Sequence, residues 1–291
     1  MKTLDTLVED IYNVIKTKQI PKGVDVESVI NQFGEGCKDI MRTAMKERRS
    51  GGKGYLRMSN IGRTDKFLYH HVNSEMEDDI QPHTYVKFLY GHLIEEMLLA
   101  LTKLSGHEVT DEQKEVEIEG IKGHMDCKVD GVVIDIKSTS TFGFKKFKDR
   151  TLASDDAFGY IGQMKGYAHA ENQDTIGWLA MDKQNGHLCV LQYDLNDEND
   201  PNYPDYSYDI VDRIRHIKKL VRKLAEPEEN CYDTIPDGKS GNMKLAAGCS
   251  YCQYKDKCYE GLRGFAYSNG VKWLTVVENE PKVQEITKGV F

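Results

Sequence analysis

Apolar residues first recur at helical spacing, and then the period shortens. Leu7, Ile11, Val14 and Ile15 define a helix over Leu4 to Lys16, which Pro21 ends; a second runs from Val26 to Glu47. A third, Tyr85 to Ser105, carries Val86, Leu89, Leu93, Met97, Leu98 and Leu101 on one side and stops at Gly106. Strand-like runs follow: Val109 with Lys114 to Ile121, Gly123 to Val129, and Val132 to Ser138. Ala157 to Glu171 reads as a helix, Thr175 to Met181 and Leu188 to Tyr193 as strands, and Tyr206 to Leu224 as a long helix. Helix, three strands, helix and further strands predict a layered α/β core. The chain from about Glu226 is loop-rich and holds four of the seven cysteines, so it is expected to form a small appended module.

The strand region contains unusual charges. Asp130-Gly131 lies between apolar runs, the strongest short-range hairpin signal. Closing that hairpin brings Asp126 near Asp135, and Lys137 shares the strand face of Asp135 because side chains alternate with a period of two. Acid-x-Lys occurs five times, beginning at Glu112, Asp126, Asp135, Asp237 and Glu280, so the tripeptide alone selects nothing. Asp135 differs in its setting among Val132, Val133, Ile134 and Ile136, where an unpaired carboxylate is costly to bury. Two carboxylates and a lysine fit a divalent cation and phosphodiester hydrolysis; taken alone, they fit a strand-end salt bridge equally well.

Composition narrows the setting. The chain has 291 residues, 39% of them hydrophobic and 30% charged, with no apolar signal core after Met1 and no run of membrane-spanning length. Cysteines without a secretion signal favour metal binding in a reducing cytoplasm over a disulfide framework. The formal charge of −8 opposes nucleic acid on average, yet the basic residues cluster. Lys46, Arg48, Arg49, Lys53, Arg57 and Arg63 stand among glycines, and Arg213 to Lys223 is a basic run that reads as a solvated helix face. Lys145, Lys146 and Lys148, interleaved with Phe142, Phe144 and Phe147, suit a phosphate backbone and unstacked bases.

Three further motifs complete the set. Glu95, on the long helix just past Leu93-Ile94, is a candidate third oxygen ligand or a plain surface glutamate. Gln163 and Tyr167 are four apart on one helix face, flanked by Gly162 and Gly166 at the same spacing, which implies close approach by a strand or by DNA backbone. Cys249, Cys252 and Cys258 form C-x2-C-x5-C, a metal-ligand pattern that needs a fourth donor; Cys231 is the near candidate and Cys37 the distant one.

Glu95, Gly123-x-x-Asp126, Asp135-x-Lys137 and Gln163-x3-Tyr167, in that order, resemble the PD-(D/E)xK nuclease superfamily, above all its RecB-type and phage exonuclease branch. The resemblance spans roughly Met58 to Tyr193 plus the cysteine module. It implies a restriction-endonuclease-like core, a central mixed sheet flanked by helices, over 58–225, with N-terminal helices over 1–57 and a cysteine module over 226–291. Glu95, Asp126, Asp135 and the Ile136 carbonyl would hold Mg²⁺ or Mn²⁺, and Lys137 would orient or activate water. RecB-type enzymes often carry histidine where this chain has Glu95. His124 is expected beside the site in a supporting role. The cysteines are similar to the C-terminal part of iron–sulfur centres in RecB-like nucleases, whose first cysteine falls where this chain has Thr64. That departure favours structural Zn²⁺ on Cys231, Cys249, Cys252 and Cys258 over a [4Fe–4S] cluster. The expected activity is metal-dependent exonucleolytic hydrolysis of DNA in a bacterial or phage-infected cell, with a recombination or single-strand-binding protein as partner and no membrane. An endonuclease or nickase on the same core, and a non-catalytic nucleic-acid-binding protein, are the alternatives.

Overall fold

The computed structural model describes residues 2–46, 52–75, 82–223, 225–229, 231–268 and 270–286. Arg48 and Arg49 of the expected basic cluster, and Glu47 and Leu224 at the ends of two expected helices, lie outside them. Among the described residues no helix is long and apolar enough to cross a membrane.

Helices α1 (Leu7–Thr17), α2 (Val26–Ala44), α3 (Asp65–Asn73) and α4 (Pro82–Leu104) precede the first strands. Strands β1 (Val109–Thr110), β2 (Glu115–Ile118), β3 (Ile121–His124), β4 (Cys127–Val129) and β5 (Val132–Thr139) follow. The run expected as one strand from Lys114 to Ile121 turns back on itself at Glu119-Gly120, both with positive φ, so β2 and β3 form a separate hairpin. Then come α5 (Thr141–Lys148), α6 (Tyr160–Ala170), β6 (Thr175–Asp182), β7 (Leu188–Asp194), a single turn α7 (Tyr203–Tyr206) and α8 (Ile210–Leu220). The expected Tyr206 to Leu224 helix starts later because Asp209 caps it, accepting the Asp212 N–H at 2.8 Å.

The central sheet has the order β1-β4-β5-β6-β7; β5 and β6 run parallel and every other pair is antiparallel. It is a mixed sheet with helices on both faces. Val133, Trp178 and Ala180 pack with Phe144, Phe147, Tyr167 and Ile214 of α5, α6 and α8 on one face. Ile134, Ile136, Leu179 and Met181 pack with Leu7, Ile11, Ile94 and Leu98 of α1 and α4 on the other. Alternation along β5 therefore puts Asp135 and Lys137 on the α6 side, with Asp135 between Ile134 and Ile136 of the opposite core. A one-residue slip would exchange the two sets, so burial fixes the register.

After α8 the chain is more regular than its composition implies. Strands β8 (Ile235–Pro236), β9 (Met243–Lys244), β10 (Arg263–Tyr267), β11 (Gly270–Val276) and β12 (Glu285–Ile286) form an antiparallel sheet in the order β12-β10-β11-β9-β8. Short helices α9 (Ala247–Ser250) and α10 (Lys255–Cys258) carry Cys249 and Cys258, and Cys252 lies between them. Phe265 and Leu274 are 1% and 0% exposed, but neither β10 nor β11 buries every second residue, so the strand period is weak here and a loop-rich reading overlooks it.

Candidate active site and cysteine cluster

The Asp130-Gly131 turn takes positive φ at both positions, 49° and 86°, as a tight two-residue hairpin demands. Cys127 pairs with Ile134, so Asp126, one step beyond, stands opposite Asp135. Asp126 Oδ2 accepts the Ile136 N–H at 2.7 Å. Asp135 is 1% exposed, and Lys137 Nζ lies 2.7 Å from its Oδ1 and 2.6 Å from its Oδ2. Only the first contact has hydrogen-bond geometry, which leaves Oδ2 a buried carboxylate oxygen with no donor.

The second side of the pocket is α6. Gln163 Nε2 donates to Asp135 Oδ1 at 3.3 Å and also lies 3.3 Å from the Tyr167 hydroxyl, which donates to the His124 carbonyl at 2.8 Å. The i, i+4 pair thus spans both aspartate-bearing segments. Asp156 holds the N-terminus of α6 by accepting the N–H groups of Gly159, Tyr160 and Ile161 at 2.7–2.9 Å. The close approach at Gly162 and Gly166 comes from neither a strand nor DNA. A Cβ on Gly162 would sit 2.5 Å from the Gly62 Cα, and one on Gly166 would sit 2.1 Å from the Met58 sulfur.

Burial raises the Asp126 pKa well above the usual carboxylate range, and repulsion from Asp135 raises it further. Burial also raises that of Asp135, with Lys137 opposing. Burial disfavours the Lys137 ammonium, but the facing Asp135 and Asp126 more than reverse this and hold its pKa above the ordinary lysine value. The Lys137 ammonium also lies 5.2 Å from the centre of the Tyr160 ring, a neighbour that no sequence motif marked.

Other expected residues sit less centrally. Glu95 is close enough to raise both aspartate pKa values, but its Oε1 accepts from Gln113 Nε2 at 3.1 Å and its Oε2 lies 3.8 Å from His92. The His124 ring points to Glu115 at 3.6 Å, and only its carbonyl enters the site. Among the described residues, no group of three or more His, Cys, Asp and Glu side chains stands ready to hold a metal ion. The donor chemistry of the aspartate pair nevertheless fits a divalent cation: two hard oxygen ligands are forced together, with one buried oxygen unsatisfied.

Phe144 and Phe147 are 6% and 2% exposed, because their spacing of three puts both on the core face of α5; only Phe142 of the expected base-facing aromatics reaches solvent. Lys145 and Lys148 are exposed, whereas Lys146 is bound to Asp155 at 2.6 Å. The Arg63 guanidinium lies 4.0 Å from the Phe67 ring centre and 5.6 Å from that of Phe158. The basic run of α8 is largely engaged: Arg213 pairs with Asp65, and Arg215 with Glu119 at 2.8 Å.

Beside this site Cys231 has Cys249 and Cys258 as neighbours, without a ready-made group of three or more metal-holding side chains among the described residues. Hydrogen bonds from the Cys249 and Cys258 thiols hold the Cys231 pKa far below the usual thiol range, against its burial, with help from the Thr64 hydroxyl and the Phe67 N–H. Cys249 and Cys258 are raised correspondingly by the same contacts. Cys231 therefore lies against the N-terminus of α3, where thiolate is favoured. Cys252 is buried, and its sulfur accepts the Tyr254 N–H at 3.4 Å. Thr64, the position that the resemblance gives to the first cysteine of such a centre, immediately precedes α3.

No protein-family model and no curated protein matches the chain. Three solved structures are similar at low identity. An alkaline exonuclease (LHK-Exo) from Laribacter hongkongensis is 13% identical, over 56% of this chain and 91% of that one, with a TM-score of 0.35. A phage related exonuclease from Haemophilus somnus 129PT is 16% identical, over 64% and 92%, with a TM-score of 0.37. The protein SSO0001 is 11% identical, over 76% and 93%, with a TM-score of 0.38.

Proposed function

We propose that the protein is a divalent-metal-dependent deoxyribonuclease acting from DNA ends. The observation that carries this reading is Asp135: 1% exposed, held by the Lys137 ammonium at both oxygens, and set opposite a second carboxylate, Asp126. A purely structural ion pair gains nothing from a second buried carboxylate that raises its neighbour's pKa. Asp126, Asp135, Glu95 and the Ile136 carbonyl would hold Mg²⁺ or Mn²⁺. Bound there, such an ion polarises a phosphate and supplies hydroxide near neutral pH.

The chain's own groups complete the chemistry. Lys137 carries positive charge beside both aspartates and balances the charge developing on a phosphate in the transition state. Gln163 keeps Asp135 in one orientation, and Tyr167 fixes α6 to the carbonyl before Met125-Asp126. Arg63, Lys145 and Lys148 are the proposed backbone contacts. Cys231, Cys249, Cys252 and Cys258 are proposed as a structural Zn²⁺ site that anchors α3 to the C-terminal sheet.

The test is digestion of end-labelled linear and covalently closed circular DNA with Mn²⁺, Mg²⁺ or chelator. Degradation of the linear form alone, abolished by Asp135→Ala, is the expected result. Nicking of the circle would replace the exonuclease by an endonuclease, and inactivity on every DNA form with both metals would refute the reading.

A further inference from the structure

A groove of about 730 Å³ separates α2 from the first half of α4. Ile40, Met45, Tyr85, Phe88 and Leu89 line it, and Glu95 stands at one end. Gly36 lets the helices meet here: a Cβ there would fall 2.3 Å from Glu96 Oε2. The apolar wall faces outward instead of closing into a core. Phe88 is 46% exposed and Met45 74%, and Tyr85 meets Phe88 edge-on at 6.5 Å.

We infer that this groove binds the unpaired bases of a nucleic-acid strand whose backbone continues to Asp126 and Asp135. The inference rests on the nuclease reading for the catalytic end of that path. Continuity fixes the occupant, because Gln113 lines the groove beside Glu95, to which its Nε2 donates at 3.1 Å, and its backbone N–H donates to the Asp126 carbonyl at 3.0 Å. A protein helix seated here would cover Glu95 and block the acid set. Charge fixes the orientation. Asp39, Glu95 and Glu96 against Lys46 leave the lining negative, which excludes phosphates from the floor. Bases, in contrast, stack on aromatic faces and offer exocyclic amines to carboxylates. Paired bases inside a duplex cannot reach such a groove, so it selects a single strand or a frayed end.

The test uses the full chain in Ca²⁺ or chelator, with a short fluorescein-labelled single-stranded oligonucleotide and a blunt duplex of the same sequence. Phe88→Ala is expected to raise the single-strand Kd about fivefold to a hundredfold, the loss typical of one stacking platform. Phe88→Tyr, which keeps the ring, restores tight binding, and duplex affinity stays unchanged in both variants. Thermal melting confirms that this exposed position leaves the fold intact. An unchanged single-strand Kd in Phe88→Ala, or an equal loss on the duplex, overturns the inference. Wild-type cleavage with Mn²⁺, measured in parallel, separates the two readings. Binding that depends on Phe88 without cleavage retains the groove and removes the nuclease; cleavage with Phe88-independent binding does the reverse.

Discussion

The segment Met58 to Thr64 reaches the aspartate site at Met58, which lies against Gly123 and Gly166, and the cysteine cluster at Thr64, and the two sites are built in opposite ways. Asp126, Asp135 and Lys137 come from one hairpin, and Gln163 and Tyr167 from one helix face, so backbone periodicity alone sets most of the geometry. The cysteine cluster joins the start of α3, the loop after α8 and two short helices near residue 250, and no local period relates them. In the first site, like charges are forced together by a rigid sheet. In the second, a thiol whose pKa is lowered has neighbours far apart in sequence. The sheet site should therefore keep its geometry when a partner is lost, at a cost in stability and chemistry, whereas the cysteine site should lose its geometry.

The largest expected effect tests the first half of that contrast. Lys137→Met should lower cleavage about 10²–10³-fold, as loss of a transition-state donor does. It should also destabilise the chain by about 3 kcal/mol, because Asp135 is left buried and unpaired. Asp135→Asn with Lys137→Met should regain stability but no activity. Urea melts beside a nuclease assay distinguish the two outcomes, and a stable single variant would mean that the pair is not interdependent.

The cysteine site supplies the next test. Cys231→Ser should lower zinc affinity at least about tenfold, measured by chelator competition and by metal content. Thr64 touches Cys231, so Thr64→Cys in a Cys231→Ala background should recover the ion. If Thr64→Cys cannot restore zinc, the two positions do not face one site.

Legibility follows the same division. Asp135 was distinguishable from four similar tripeptides because a strand pattern and an Asp-Gly turn surrounded it, and both signals act over a few residues. The central strands were placed for the same reason. Tyr160 and Gln113 were not, since each becomes a neighbour of the site only after α6 and the β1–β2 connection have packed. Phe144 and Phe147 were read as base-facing because a basic, aromatic stretch looks alike in a loop and in a short amphipathic helix; burial alone separates the two. Cys231 follows from its place near the C-x2-C pair and Thr64 from the resemblance, while their proximity to each other depends on contacts over more than a hundred positions.

Gly162 probes the joint between the two sites. Alanine normally gains about 1 kcal/mol over glycine inside a helix. Here its Cβ would meet the Gly62 backbone at 2.5 Å, which cannot rotate away as a side chain would. Gly162→Ala is expected to cost about 1–3 kcal/mol net, as overpacking does. It should lower both zinc affinity and cleavage, because Gly62 lies two residues before Thr64 and Gly162 one before Gln163. A loss confined to one site would show that the segment does not couple them.

The smallest effect concerns pH. His71 lies on α3 beside the cysteine module, its Nδ1 3.3 Å from the Tyr254 hydroxyl. Burial, and then the Arg57 charge, lower its pKa below 6.5. The folded state therefore favours the neutral ring. Its contribution is complete above the unfolded pKa of about 6.5 and is lost as pH falls through the folded value, since the unfolded chain then binds more protons. Stability should decline from about pH 7 to pH 5, and His71→Phe should flatten that slope while losing about 1 kcal/mol at pH 7 from the broken Tyr254 contact. Asp126 and Asp135, whose pKa values are raised, contribute with the opposite sign as pH falls, so the difference between wild type and variant isolates His71. An identical slope in the variant would move the pH response out of the cysteine region and into the sheet.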